Sequence, residues 1–302
     1  MHMQKRVHMA STQRKKKTAA HGFALKMITP TVVILAVLTL YPLIFTLIYS
    51  FTNYNYLQGA DKAKFIALGN YVKILKNTYF QRAMWNTVKF TVLAVFFEML
   101  FGLLLAIFIK SLRWGQKIMR TLVLLPYLLP AVTVALSFRM MLSQNYGIVN
   151  QVLTALHLPV YNWFMDKHTA FNMILLIDVW QNVPFVFLLL YASMLSIPKD
   201  QYEAAMVDGA GWIRQHIYVT IPNLGSSLAL CAMLRVIDRF RLFEKVNILT
   251  GGGPAGTTST ITQFLYNNGI KSLKFGYGSA GAIIMTILVL IFSGIYVKKA
   301  VS

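Results

Sequence analysis

Apolar residues in this chain gather into six long runs, at 27–50, 86–109, 119–142, 170–194, 224–244 and 277–297. A helix crosses a hydrocarbon core of about 30 Å with about 20 mostly apolar residues. The pattern therefore predicts an all-α membrane protein with six transmembrane helices. The fifth run, "LGSSLALCAMLRVIDRFRLFE", is the weakest, because five charges fall in its last two-thirds. Between the fourth and fifth runs the pattern breaks off into a polar interval, 196–223, that contains "EAAMVDGAGWIRQHIYVTIP" at 203–222. Ser196 and Pro198 suit a helix start, and Asp200 and Glu203 favour its positive end. Gly209 and Gly211 permit a sharp turn. "WIRQHIYVT" then reads as a second short amphipathic piece, and Pro222 restarts the chain as a membrane helix. Ala204, Ala205, Met206 and Ala210 give the first piece a small apolar surface suited to a groove on another protein. A plain reversal takes about five residues, so this interval is too long to be only a connection.

Composition supports the bilayer. Of 302 residues, 57% are hydrophobic and 13% charged, against about 45–50% and about 25% in soluble domains. The net charge of +20 suits an anionic surface, and the distribution of Lys and Arg decides which kind. With the N-terminus inside, the segments 1–26, 110–120, 196–223 and 298–302 hold 15 of them and the outer loops 9. This bias predicts both termini in the cytoplasm and no nucleic-acid partner. Residues 1–26 are expected to be an unstructured, solvated basic cytoplasmic segment that sets topology, followed by one membrane domain, 27–302, in contact with membrane lipid. A cleaved signal peptide is disfavoured: the basic and apolar stretches are too long and no small-residue cleavage site follows. Cys231 stands alone in an apolar run, so no internal disulfide exists.

Charges inside the spans are costly and usually face a cavity or one another. Arg235, Asp238 and Arg239 share one helical face, with Arg235 about 16 Å into its helix. Asp178, Gln181 and Asn182 repeat that spacing on the fourth span, beside Trp180 and with Pro184 as an expected kink. Arg139 lies in the third span and Glu98 in the second, where a structural role is expected for Glu98. Two arginines on one face with one acid leave a positive surplus. Arg235, Asp238, Arg239, Asp178, Trp180, Gln181, Asn182 and Arg139 are thus candidates for a polar path; ion pairing between helices is the other reading. No catalytic constellation and no metal-ligand spacing is visible, and His157 and His168 read as loop residues.

Glu203-Ala204-Ala205, Asp208-Gly209-Ala210 and Ile221-Pro222 resemble the "EAA" loop of membrane subunits of binding-protein-dependent ABC importers. The likeness is nearest to the sugar permeases that include the maltose, lactose and glycerol-phosphate systems. "ALGNYVKIL" at 67–75, "FQRAMWNTVKFTV" at 80–92, "RTLVLLPYLLPAVTVALSFRMML" at 120–142, "YGIVNQVL" at 146–153 and "ILTGGGP" at 248–254 extend it over nearly all of the chain from residue 27. The family usually has Phe where His216 stands and Ile where Val219 stands. The resemblance implies the six-helix ABC importer permease fold in a bacterial inner membrane. It implies a transport subunit and not an enzyme, with no cofactor of its own. ATP and Mg belong to a cytoplasmic ATPase dimer; a second homologous permease and an external solute-binding protein complete the assembly. Glu203, Ala204, Ala205, Asp208, Gly209, Ala210 and Pro222 become the coupling element, with Glu203 facing a basic residue of the ATPase.

The chain offers no nucleotide site of its own. "TGGGPAGTTS" at 250–259 lacks the Lys that a phosphate loop needs, and is expected near an outer vestibule. Neutral oligosaccharides are the family default; the arginine surplus points instead to an acidic, uronate-type oligosaccharide such as an alginate fragment. A self-contained secondary transporter or channel is the alternative, but no internal repeat supports it and it leaves 203–222 unexplained.

Overall fold

The computed structural model describes the backbone and side chains of residues 26–294; the expectation for 1–26 lies, apart from Lys26 itself, outside the described residues. The chain there is helical, with one isolated antiparallel bridge between Thr52 and Phe65. The long helices are α1 Lys26–Ser50, α3 Thr78–Ser111, α7 Ala170–Leu195 and α14 Phe275–Gly294. α2 Gly69–Leu75 lies just before α3. α4 Gln116–Leu128 and α5 Ala131–Met141 form a third span bent by 89°, followed by α6 Ile148–Ala155. α8 Lys199–Val207, α9 Trp212–Gln215 and α10 Ile221–Asn223 make up the polar interval. The segment 212–223 meets α11 Gly225–Phe240 at 69°. Two short helices, α12 Glu244–Leu249 and α13 Ile261–Leu265, precede α14. With each bent pair contributing one span, the fifth through α11, the count is the six expected.

Two spans are not the straight rods that their hydropathy suggests. The third breaks at Leu129, whose extended backbone (ψ 136°) is what the residue before Pro130 favours. The break frees the Leu129 carbonyl, and the Gln181 side chain donates to it at 2.8 Å. A freed backbone group at membrane depth needs such an internal partner. The fifth bends at the buried Leu224, so the membrane helix restarts at Gly225 and not at Pro222. Pro184, by contrast, sits inside an uninterrupted α7.

α3 and α7 form the spine, with α11 crossing α3. The helices meet in apolar layers. Phe90, Ile174, Ile177 and Val246 pack in one. Ile109, Phe187, Leu190, Met194 and Leu224 pack in another. Ile74, Phe80, Ile261 and Ala280 tie α2, α3, α13 and α14 together. In lipid, apolar burial drives helix association weakly, and close packing around small residues does more. Gly102 of α3 provides that: a Cβ there would lie 2.5 Å from a Val186 methyl and 3.1 Å from the Phe187 nitrogen. α1 packs chiefly on α14, and most of its apolar side chains stay exposed on this chain.

Candidate functional site

The polar interval folds as a knob at one end of the bundle. α8 follows Pro198; Ser196 does not cap it, because the Ser196 hydroxyl donates back to the Ser193 carbonyl at 2.7 Å. Gly209 turns the chain with φ +73°, a conformation that other residues adopt with strain. Gly211 has φ −65° and needs no such freedom. Glu203, Ala204, Asp208, Gly209 and Pro222 are exposed, and Ala205 and Ala210 are half-buried. Met206, Val207, Trp212, Ile213 and Tyr218 add exposed apolar surface.

Polar contacts fasten the knob to the bundle. Lys110, in the last turn of α3, donates to the Met194 carbonyl at 2.8 Å and to the Tyr202 hydroxyl at 3.4 Å. Tyr202 and His216 each meet the buried Thr220 hydroxyl at 2.9 Å. The His216 ring stands edge-on to Trp212 at 4.6 Å. Partial burial, aided by the Lys110 charge, holds the His216 imidazole below its ordinary value. The Asn223 amide reaches Gln201 at 2.8 Å. Tyr202 thus links α8 to the end of α3 through Lys110, and to the segment that leads into α11 through Thr220.

The intramembrane charges form a second constellation, and it is closed. Arg235 grips Glu98 with two N–H donors, at 2.7 and 3.3 Å, and Asp238 with a third at 3.0 Å. Arg239 pairs with Asp178 and approaches Glu98 at 3.8 Å. Lys245 of α12 reaches the other Asp178 oxygen at 2.5 Å. Three cations thus meet three carboxylates drawn from α3, α7, α11 and α12. The positive surplus read from α11 alone does not exist: Glu98 and Asp178, distant in sequence, balance it. Glu98, Asp178 and Arg235 are at most 1% exposed, and only Asp238 opens to solvent, at 52% of its side chain.

The other polar-path candidates separate. Asn182 bonds back to Asp178, and Gln181 is spent on the α4–α5 break. Arg139 is exposed and donates to the Ile248 carbonyl at 2.9 Å. Trp180 packs edge-on to Phe138 at 5.4 Å. It lines an apolar hollow of about 780 Å³ with Phe97, Phe101, Leu176 and Pro184. Lys245 was not legible as a member of the network, because it follows the fifth span and counts there as a loop charge.

The glycine-rich stretch lies at the opposite end of the bundle from the knob. Its carbonyls at Ala255, Gly256 and Ser259 accept from Arg82 and Asn86 of α3, each at 3.0 Å. Thr250 and Thr258 close it from within, hydroxyl to hydroxyl at 2.8 Å.

Residues 98–298 match the family described as "binding-protein-dependent transport system inner membrane component". The chain belongs to this permease family. Similar proteins include the trehalose/maltose transport system permease MalF of Thermococcus litoralis, 33% identical over 95% of this chain and 96% of its own length. The sulfoquinovosyl glycerol transport system permease SmoG of Agrobacterium fabrum is 32% identical over 91% and 89%. Among solved structures, a chain of a bacterial ABC transporter involved in the import of the acidic polysaccharide alginate superposes with a TM-score of 0.83. It is 21% identical, with 94% of this permease and 97% of that chain covered, a likeness of fold. The resemblance drawn from residues 203–222 and the stretches around them is borne out.

Proposed function

We propose that this permease is one membrane-spanning half of an ATP-driven importer that moves saccharides, oligosaccharides foremost, from an external binding protein into the cytoplasm. The observation that carries the reading is the knob: a short exposed helix, a Gly209 turn and an apolar rim, bonded through Tyr202, Thr220 and Lys110 to the ends of α3 and α11. Such a surface suits docking in a groove of a cytoplasmic ATPase, where ATP and Mg would bind. Both termini then lie in the cytoplasm, and a second permease completes the pore. Its partner would cover apolar faces such as the one lined by Trp180.

The relatives' names support a saccharide cargo: trehalose/maltose, sulfoquinovosyl glycerol and arabinooligosaccharides. The buried arginines give no preference for an acidic sugar, since their charge is already met by Glu98, Asp178 and Asp238. The reading is tested with the assembled complex in proteoliposomes. ATP hydrolysis should rise when the binding protein and a saccharide it accepts are added together. A complex that no saccharide stimulates, across neutral and acidic oligosaccharides, would refute it.

A further inference from the structure

Next to the glycine-rich stretch the structure holds two joined hollows that the coupling and pore readings leave unused. One, of about 410 Å³, lies between the N-terminal turn of α3, the loop 251–256 and residues 267–268. The other, of about 450 Å³, lies between α2, residues 53–58 and the start of α14. Asn77 and Asn268 line both, so the two form one groove. Each is of small-ligand size.

The lining is chemically one-sided. Lys73, Arg82 and Lys274 face the groove, and among the described residues no carboxylate lines it. One Arg82 N–H holds the Ala255 carbonyl, which leaves most of its planar donor fork uncommitted. Lys73 and Lys274 make no ion pair among the described residues. Amides and aromatic rings fill the spaces between the cations. The buried Gln263 amide N–H₂ donates to the Asn267 side-chain oxygen at 3.3 Å, and the Asn267 amide N–H₂ makes no hydrogen bond among the described residues. Gln263 itself keeps a buried oxygen with no partner. Tyr79 offers an exposed ring beside them, 67% accessible. The walls are fixed in advance, because Arg82 and Asn86 pin the loop to α3. Asn77 and Asn268 each spend one amide N–H inside the fold, on the Tyr277 hydroxyl and the Phe264 carbonyl, and keep a second. Spare amide donors, a flat ring and unpaired cations are the complement of a hydroxylated ring that bears a negative charge. Carboxylate is the group that an arginine fork matches in two places.

We propose that this groove is an entry subsite for an anionic saccharide on the face of the membrane opposite the coupling knob. Ring hydroxyls meet Asn77, Asn267 and Asn268, and carboxylates meet Arg82 and Lys274. The proposal rests on the importer reading and gives it a substrate class, acidic sugar, on grounds independent of the buried arginines.

The test uses the assembled complex in nanodiscs without its binding protein, with trigalacturonate as the acidic probe and maltotriose as the neutral one. Trigalacturonate should bind saturably, and more weakly as salt rises from about 0.05 to about 0.5 M. Arg82→Gln/Lys274→Gln should weaken it by about tenfold or more, with maltotriose changed by less than about threefold. Lys274→Gln alone, at a side chain with no partner, should give an intermediate loss and guards against an effect of misfolding. Absence of saturable binding to the wild-type complex would overturn the proposal. So would a double variant that binds trigalacturonate normally but captures the binding protein poorly, since the groove would then dock an acidic protein surface. Saccharide-stimulated ATP hydrolysis is measured in parallel with the binding protein present. If it is intact while trigalacturonate binding is absent, only the subsite falls; if no saccharide stimulates, the importer reading falls with it.

Discussion

Two polar regions interrupt this greasy chain, and they do opposite things with their charges. In the knob at 196–223, Glu203, Asp208 and Arg214 are exposed and form no ion pair among the described residues. In the network at mid-bundle, Glu98, Asp178, Arg235, Arg239 and Lys245 are buried and paired. The first arrangement leaves charge available to a partner. The second consumes charge inside the fold and fixes α3, α7, α11 and α12 relative to one another. A buried pair is weak evidence for net stability against an apolar alternative, but breaking one is costly, because the surviving charge is stranded. The knob is joined to a bundle whose helices are cross-linked by charge.

The comparison breaks most visibly at Asp178, which balances two cations. Asp178→Asn should strand Arg239 and Lys245 and cost about 3–5 kcal/mol. The loss is read as a large fall in the melting temperature of the purified complex or in its yield. A thermally unchanged variant would mean that the network is not closed as described.

Arg239→Gln should cost less, about 1–3 kcal/mol, because Lys245 still pairs with Asp178. Its diagnostic is selectivity. Uptake of an acidic and of a neutral saccharide should fall by the same factor, since Arg239 is spent on Asp178 and Glu98. A loss confined to the acidic one would put Arg239 in the substrate path and restore the reading that α11 alone suggested.

The smallest effect concerns His216. Its folded value lies below the ordinary 6.5, so the unfolded state binds the proton more readily. The stabilisation it gives is fully present above about pH 6.5 and is lost as pH falls from there toward the folded value. Melting temperature followed between about pH 7.5 and about pH 5 should show this decline. The decline should shrink in His216→Phe, which removes the titrating ring while keeping an aromatic side chain against Trp212. An identical pH profile in the variant would remove His216 from the account.

The two regions also differ in how far the sequence reveals them. The knob is local: "EAAMVDGAGW" carries its helix, its turn residue and its exposed face within ten residues, and Gly209 adopts the left-handed conformation expected. The network is not local. Its partners stand at 98, 178, 235, 239 and 245, and no periodicity along one helix says that Glu98 and Asp178 will face α11. That is why one face of α11 read as cationic. The four long spans were legible from hydropathy. The 89° break was signalled by Leu129-Pro130, but an apolar run hides a turn when the freed carbonyl is satisfied from elsewhere, here by Gln181. The groove beside the glycine-rich stretch was invisible for the same reason as the network: Asn77, Arg82, Asn268 and Lys274 come from segments nearly 200 residues apart.

The claim that the knob couples this permease to an ATPase is tested most directly by Gly209→Pro in the reconstituted importer. Proline cannot take the φ of +73° that the turn requires, and no member of the network lies in the turn. The expected result is a complex that still inserts and assembles, while saccharide uptake falls by at least about tenfold, a coupling loss of about 1.4 kcal/mol or more. Uptake at the wild-type rate in that variant would contradict it.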